Sequence, residues 1–297
     1  MSRHRTTARS ILALLLLGAL AGTAQAAVPR IVFPVVAKNH YTNDFGAPRG
    51  QGGHQGNDIM ARKKSKVVAV EAGRVEKYRK SWRAGCMLYL HGRSGTTYMY
   101  IHLNNDRTMR NDTRNNSTCR NRIAYAPGLR NGDWVRRGEL IGYVGDSGDA
   151  NGIAPHLHFE LHPENRGAVS PYRHLRRGKR LLYPRPPASV KTLDLRIRGR
   201  VLSTRVDLDP DRLQVRVTFV RLSNGWSVRP GRSVTVSVPS ETVVTRSARA
   251  GSSETTVAEA EIGERVVVRT SRFPQYFSYA RARPGRHTAA SILLRGG

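Results

Sequence analysis

The sequence predicts an all-β protein that is built from two domains. Short runs of β-branched and aromatic residues alternate with glycine-rich turns along most of the chain. No apolar pattern of helical period and useful length occurs in residues 27–165. The chain has 297 residues, which is enough for two domains, and the basic, proline-rich segment 176–191 is typical of a linker between them.

The N-terminus predicts an export signal. Residues 1–10 are basic, and residues 11–22 are apolar but shorter than the roughly 18 residues that span a membrane. The sequence Ala24-Gln25-Ala26 then matches a signal-peptidase cleavage pattern. We therefore expect residues 1–26 to be a cleaved signal peptide and the mature protein to be periplasmic or extracellular, without a transmembrane segment.

The charge of the chain predicts an anionic partner. There are 50 Lys and Arg residues against 21 Asp and Glu residues, a formal net charge of +29. Such a charge attracts nucleic acid, anionic lipid headgroups or the acidic polymers of a bacterial wall. Predicted export argues against a specific nucleic-acid partner and favours anionic cell-wall polymers.

The two cysteines, Cys86 and Cys119, both lie in the part of the chain that is expected to be exported. An even pair in an oxidising compartment predicts a disulfide, and metal binding is disfavoured because no C-x-x-C spacing exists. Residues 104–130 are rich in Asn, Arg and Asp. We interpret them as a long surface loop that a Cys86–Cys119 bridge holds to the body, and loops of this length are usually functional or mobile.

The strands of both domains are expected where β-prone runs lie between turns. In the first domain, residues 27–175, they are residues 30–36, 67–70, 74–78, 87–90, 96–103, 132–135 and 138–142, and a strand through residues 156–161. In the second domain, residues 192–297, they are residues 193–202, 213–222, 233–238, 265–270 and 291–294. About five strands in this length predict a small β-barrel, for which an OB-like form is our expectation.

The strand that follows the turn 145–152 carries the strongest functional signal. His156, His158 and Glu160 alternate along it, so all three side chains should share one face. Two imidazoles on one face need partners for four ring nitrogens, which suits a metal and a reacting group. Glu160 is equally consistent with an exposed strand residue and with a carboxylate that orients a histidine.

Two further motifs precede this strand. His54 and Asp58 are four residues apart, and Gly56 permits the turn that would let them meet. His102 ends the strand expected over residues 96–103. Each motif alone is also typical of a surface histidine or a turn aspartate. We interpret His91 and His162, which match no motif, as surface residues.

Taken in order, His54-x-x-x-Asp58, Tyr100-Ile101-His102-Leu103 and His156-x-His158 resemble the M23 family of zinc metallopeptidases, the lysostaphin- and LytM-type peptidoglycan endopeptidases. The resemblance covers residues 35–165, with a longer 104–130 loop and a polar Asn57 where the family tends to be apolar. It implies an antiparallel β-sheet with a metal-floored groove. It also implies one Zn²⁺ bound by His54, Asp58 and His158, and a catalytic pair, His102 and His156.

The implied chemistry is hydrolysis of the peptide stems or cross-bridges of peptidoglycan. Three protein ligands leave one zinc position open for water, which zinc activates at neutral pH. One histidine would accept a proton and the other would stabilise the oxyanion, and the sequence leaves open which does which. The alternatives are an inactive or latent relative that binds the wall or activates another hydrolase, and a basic exported binding protein without metal. All five site positions are intact, which favours the enzyme.

Overall fold

The structure is a computed structural model that describes residues 28–50, 52–110, 118–248, 251–274 and 287–295. The expected signal peptide, residues 1–26, lies outside these ranges. The all-β prediction is confirmed, because strands dominate the described residues and the α-helix found among them, α1, spans only Tyr172–Arg177. Within those ranges, no helix is long and apolar enough to cross a membrane.

The first domain contains twelve strands among the described residues. They are β1 Val35–Val36, β2 Asn39–His40, β3 Pro48–Arg49, β4 Gly52–Gly53, β5 Asn57–Ala61, β6 Lys66–Val68, β7 Gly73–Ser81, β8 Gly85–Gly92, β9 Thr96–Leu103, β10 Trp134–Val135, β11 Leu140–Tyr143 and β12 His156–Pro163. The sequence did not predict β5, whose motif we interpreted only as a turn. In the expected strand 30–36, residues 31–36 are buried, but only the last two belong to a named strand.

The main sheet of this domain is antiparallel and has the order β10-β7-β8-β9-β12-β5-β2. Strand β12 lies between β9 and β5, and His158 is opposite Asp58 on β5 and Ile101 on β9. A smaller sheet, β1-β6-β11, shares a core with the main sheet, in which Tyr98, Tyr100 and Phe159 are fully buried. The sheet order therefore brings distant parts of the sequence together around β12.

Residues 104–130 are tied into the first domain at several points. The predicted Cys86–Cys119 disulfide is present. Near the start of the segment, the buried carboxylate of Asp106 accepts a hydrogen bond from the buried ammonium of Lys63, which also lies 3.0 Å from Asp146. An ammonium between two buried carboxylates offsets much of the cost of burying each charge.

Our interpretation of the whole segment 104–130 as a surface loop is wrong for residues 124–129. Ala124, Tyr125, Ala126 and Leu129 are buried in the core. The hydroxyl of Tyr125 donates towards the carbonyls of Tyr78 and Met87, at 2.9 and 3.0 Å. The sequence did not reveal this packing, because the segment has few aliphatic residues and its largest buried side chain is a tyrosine.

The second domain is also all-β. Its strands are β13 Thr192–Leu193, β14 Leu195–Arg205, β15 Asp211–Leu222, β16 Ser227–Val228, β17 Arg232–Val238, β18 Val243–Ala248, β19 Gly251–Glu254, β20 Arg265–Thr270, β21 Phe273–Pro274 and β22 Ala289–Arg295. The five strands expected from sequence all occur; β20 has the expected bounds, and the ends of the other four differ. The sequence did not predict β16, β18, β19 and β21.

The large sheet of the second domain has the strand order β16-β15-β14-β20-β22-β18-β19, and β17 also pairs with β15. Strand β14 pairs with β15 and β20, β15 pairs with β17, and β20 pairs with β22. After β17 the chain continues into β18, which pairs in parallel with β22. Val, Leu and Ile side chains form the core of this domain. The β-barrel and its OB-like form stay predictions.

The two domains share buried contacts. Leu181, Leu182 and Tyr183, from the segment expected to be a linker, are buried with the core residues of the second domain, as are Val32 and Val36 of the first. The indole of Trp226 packs against the cores of both domains. The domain boundaries proposed from sequence stay a prediction.

We predict that replacing both Cys86 and Cys119 with Ala lowers the free energy of unfolding by about 3–4 kcal/mol, because the unfolded chain loses a constraint on a long loop. Denaturant unfolding measures this change. Limited proteolysis should cut the 104–130 segment faster, while the content of bound metal stays unchanged. Unchanged proteolysis of that segment would contradict the tethering role of the bridge.

Candidate metal centre

Three potential metal ligands converge on one face of the main sheet. Asp58 Oδ1 lies 3.0 Å from His158 Nδ1 and 3.2 Å from His54 Nε2, and these two nitrogens are 2.9 Å apart. The three atoms come from β5, β12 and the residue just after β4. The structure therefore brings together the three residues that the motifs predicted as ligands.

The close approach of these residues requires a glycine at position 56. A Cβ atom on Gly56 would lie 2.6 Å from the carbonyl oxygen of Phe159 and 2.7 Å from Nε2 of His158. Both contacts are shorter than van der Waals distance, and one is with backbone. Gly56 therefore lets the segment between His54 and Asp58 pass against β12.

Each ligand is held through its other polar atom. His54 Nδ1 donates to the carbonyl of Asp44 at 2.9 Å, and His158 Nε2 donates to Glu160 Oε1 at 2.8 Å. These bonds leave His54 Nε2 and His158 Nδ1 free to face the shared point. The Arg49 guanidinium donates to Asp58 Oδ2 at 2.8 Å, which leaves Oδ1 for the same point.

This donor set fits a divalent metal ion. Two imidazole nitrogens and one carboxylate oxygen suit a tetrahedral ion with one position left open. A ligating histidine typically donates its second ring N–H to a carboxylate or a carbonyl, which fixes its tautomer. Glu160 and the Asp44 carbonyl are placed to do this for His158 and His54.

Glu160 is not an exposed strand residue, because only 6% of its surface is accessible. Besides its bond with His158, it accepts a hydrogen bond from His162 Nε2 at 2.6 Å, and His162 Nδ1 donates to the Arg166 carbonyl at 3.0 Å. Of the two interpretations of Glu160, the carboxylate that orients a histidine is the one that the structure supports. Our interpretation of His162 as a plain surface residue is wrong, because it is half-buried behind Glu160. His91 is exposed, as expected.

Hydrogen bonds among the candidate ligands favour their charged forms. Burial alone would raise the pKa of Asp58, but hydrogen bonds from His158 and His54 hold it far below its usual range. Burial alone would lower the pKa of His158, but its hydrogen bonds with Asp58 and Glu160 raise it to about 9. A metal ion must therefore displace a proton from this cluster, so acid weakens metal binding.

His102 and His156 form a pair beside the candidate ligands. Their ring centroids are 5.0 Å apart, and the centroid of His102 lies 6.0 Å from that of His158. His102 Nδ1 donates to the Ser147 carbonyl at 2.8 Å, and His156 Nδ1 donates to the Ala154 carbonyl at 3.0 Å. Both rings therefore keep Nε2 available. Burial, together with the neighbouring His156, lowers the pKa of His102 to about 4.

A bulge in β9 places His102 on the site. Tyr98 and Tyr100 are buried in the core, and regular alternation would send His102 to the same side. Between the pairs Leu88–Tyr100 and Cys86–Leu103, however, β9 has one residue more than β8. The backbone accommodates the extra residue at His102, which has a φ of 59°. This left-handed conformation costs energy for a residue with a side chain of this size.

The five residues line an open cleft of about 480 Å³. Its rim includes Arg83 and Asp149, and the side chain of Ile153, which is 54% exposed. Trp82, beside Arg83, is also largely exposed, and the guanidinium of Arg83 lies over its ring. A cleft of this size can hold an extended peptide segment against the metal position.

The sequence did not identify Asp44, Arg49 or Asn57 as site residues. Asn57 is fully buried, and its side-chain amide donates to the Thr42 carbonyl at 2.7 Å and to Asp44. It thereby anchors the segment whose carbonyl holds His54, which explains the polar residue at this position. No local signal marks these residues, because their contacts are made across turns.

Part of the chain matches a known peptidase family. Residues 119–171 match Peptidase family M23, a stretch that includes His156 and His158. The chain is 29% identical over 163 residues to the L-Ala–D-Glu endopeptidase of Bacillus subtilis (strain 168), which is 50% of this chain and 44% of that protein. The match thus spans less than half the length of this relative. These findings confirm the M23 resemblance that the motifs predicted.

Two solved peptidase structures are similar to part of this chain. The catalytic domain of lysostaphin from Staphylococcus simulans is 24% identical, with 47% of this chain and 92% of that chain covered and a TM-score of 0.36. A putative glycyl-glycine endopeptidase LytM from Ruminococcus gnavus is 25% identical, with 50% and 59% covered and a TM-score of 0.37.

We predict that Glu160→Gln weakens divalent metal binding by about 10- to 100-fold, because His158 loses the carboxylate that orients and polarises its ring. Competition against a chelating indicator measures the affinity. The matched control is Glu76→Gln, which removes a half-exposed carboxylate from β7 of the same sheet. Equal metal affinity in the two variants would show that Glu160 does not support the site.

Proposed function

We propose that this M23-type chain is an exported zinc metalloendopeptidase that hydrolyses peptide cross-links of bacterial peptidoglycan. The observation that carries the proposal is the convergence of His54, Asp58 and His158 in an open cleft, with His102 and His156 beside them. The Bacillus subtilis relative is named for cleaving an L-Ala–D-Glu bond, and such bonds occur in wall peptides. The predicted signal peptide supports export to the compartment that contains this substrate.

Zinc is the metal that the donor set favours. Two imidazoles and a single carboxylate are characteristic of catalytic zinc sites, whereas magnesium and calcium prefer oxygen ligands throughout. The ligands would be His54 Nε2, His158 Nδ1 and Asp58 Oδ1. A bound zinc ion would supply a Lewis acid that polarises the scissile carbonyl and activates water at neutral pH.

His102 and His156 would transfer the protons of the reaction. Each ring has its Nδ1–H committed to a backbone carbonyl, so Nε2 is the atom that faces the cleft. One Nε2 can accept a proton from the attacking water. The other, when protonated, can donate to the oxyanion and then to the leaving amine. The geometry is compatible with either assignment.

The basic surface outside the candidate site would attach the protein to the cell wall. The mature protein has a large positive charge, since residues 1–26 hold only three of the 50 basic residues. An anionic wall would retain such a protein by an attraction that salt weakens. We assign this positioning role to the domain over residues 192–297.

We predict that mature protein, residues 27–297, clears a suspension of purified peptidoglycan. A chelator should stop the clearing, because it competes with the three side-chain ligands for the metal, and added zinc should restore it. Turbidity measures the rate, and mass spectrometry of the fragments identifies the bond that is cut. Bound zinc without clearing would instead support a latent or wall-binding relative, and absence of zinc binding would contradict both.

We predict different losses for the two histidines of β12. His158→Ala should lose both zinc and activity, because a ligand is removed. His156→Ala should keep zinc and lose about 10²- to 10⁴-fold in kcat, the usual contribution of a positioned acid or base. Metal analysis together with the clearing assay separates the two effects, and His40→Ala, an exposed histidine on β2, is the control. Full activity in His156→Ala would show that this role assignment is wrong.

A further inference from the structure

The outer face of the second domain carries a dense array of arginines. Along β14, alternate residues point away from the core, and three of these are Arg196, Arg198 and Arg200. The neighbouring strands add further arginines on the same face. The cross-strand pairs are Arg196 with Arg221 and Arg269, Arg200 with Arg216 and Arg265, and Arg265 with Arg295. We call these eight residues the arginine face.

The arginine face follows the spacing of a β-sheet, with a β-bulge between Arg198 and Gly199. Alternate residues of one strand are about 7 Å apart, and neighbouring strands are about 4.8 Å apart. The eight guanidinium groups thus cover four adjacent strands, in the order β15-β14-β20-β22. Most of the eight are exposed to solvent, and Arg196 is half-buried among them.

These cations are not neutralised within the part of the chain that the structure describes. Among its ion pairs, none joins a residue of the arginine face to a carboxylate. Nε of Arg196 is buried and has no hydrogen-bond partner in that part of the chain. Partial burial and the charges of Arg198 and Arg269 lower the pKa of Arg196. Like charges on neighbouring strands destabilise a sheet, so the fold alone does not account for this face.

We propose that the arginine face binds a linear phosphodiester polymer of the bacterial wall. Guanidinium groups bind phosphate oxygens through two parallel hydrogen bonds, which arginine does better than lysine. Single-stranded nucleic acid would also need aromatic side chains for its bases to stack on, and Phe219 is the one aromatic residue that lies among these strands on this side. Insertion into a membrane would need large exposed apolar side chains, whereas Phe219, Val267 and Leu293, which lie among these arginines, are not exposed.

The arginine face borders a cavity between the domains, and this cavity reaches the strand that carries Asp58. The ring of Phe219 lies under the guanidinium groups of Arg198 and Arg229, with centroid distances of 5.6 and 5.7 Å. Phe219 and Arg229 also line a cavity of about 640 Å³ between the domains, whose opposite wall includes Lys66 and Met60. Met60 is two residues from Asp58 on β5 and pairs with His156, so its side chain shares the face that carries the site.

A polymer bound to the arginine face would therefore hold the cleft close to the wall that the polymer decorates. The choice of a wall polymer rests on the proposed function, whereas the binding itself does not depend on hydrolysis. The two can be tested separately, because phosphate binding needs neither the metal nor His102 and His156. A chelator removes the hydrolytic activity and leaves the arginine face intact.

The test measures binding of poly(glycerol phosphate) of defined length to mature protein, in chelator and at several salt concentrations. The variant Arg196→Gln/Arg198→Gln/Arg200→Gln should bind at least about tenfold more weakly, and its plot of log affinity against log salt should be less steep by about two to three. The control Arg93→Gln/Arg130→Gln/Arg173→Gln removes the same charge from exposed positions of the first domain. Its affinity should fall less than about threefold.

A second variant, Arg216→Gln/Arg265→Gln/Arg295→Gln, repeats the test on the same face if the first fails to fold. Equal losses in the face and control variants would overturn the proposal, because net charge alone would then explain binding. Tighter binding to a single-stranded oligonucleotide of equal charge, or to vesicles of anionic phospholipid, would also overturn it if the same arginines are needed. Cleavage of a soluble wall peptide should be unchanged in the face variants, and absence of cleavage in the unaltered protein contradicts the proposed function alone.

Discussion

The pairing of β12 with β5 is the constraint on which the site depends. It sets His158 opposite Asp58 and His156 opposite Met60, so that residues distant in sequence face one another across a hydrogen-bonded ladder. A slip of one residue would turn every side chain of β12 to the other face and would move Phe159 out of the core. Because Phe159, Leu157 and Leu161 are fully buried, the core resists such a slip. The same apolar residues that stabilise the fold therefore set the geometry of the candidate ligands.

Around this pairing, each functional side chain is held by a second contact. The Asp44 carbonyl, Glu160 and Arg49 hold the three candidate ligands, and backbone carbonyls hold His102 and His156. Such contacts fix ring tautomers and reduce the reorganisation that binding or catalysis requires. The turn that supplies the Ser147 carbonyl also contains Asp146, which lies against the buried Lys63. The packing beneath the cleft and the chemistry inside it are thus parts of one structure.

The two domains differ in how their charged side chains are paired. In the first domain, buried charges are paired and placed around the cleft, as in Lys63 with Asp106 and Asp146. In the second, cations cover an outer sheet face without acidic partners among the residues described, at a cost in stability. Paired charges suit a site that must keep one geometry. Unpaired arginines suit a surface that an external anion completes.

Local pattern in the sequence determined much of this protein. Alternation along a strand placed His156, His158 and Glu160 on one face, and the ordered motifs named five site residues that the structure brings together. The even number of cysteines in a chain expected to be exported likewise predicted the disulfide, and β-prone runs between glycine-rich turns predicted most strands. These features follow from the period of a strand and from the conformations that single residues prefer.

Only the tertiary structure decided the features that depend on contacts between strands and turns. Regular alternation would have put His102 in the core with Tyr100, and the extra residue in β9 relative to β8 turned it to the cleft. Glu160 is buried, and Asp44 and Arg49 hold the candidate ligands. These contacts lie between segments that no short sequence pattern relates. The arginine face is a further case, because cross-strand register determines which of 50 basic residues become neighbours. A bulge or a register is set by the packing of whole strands, which a single stretch of sequence does not encode.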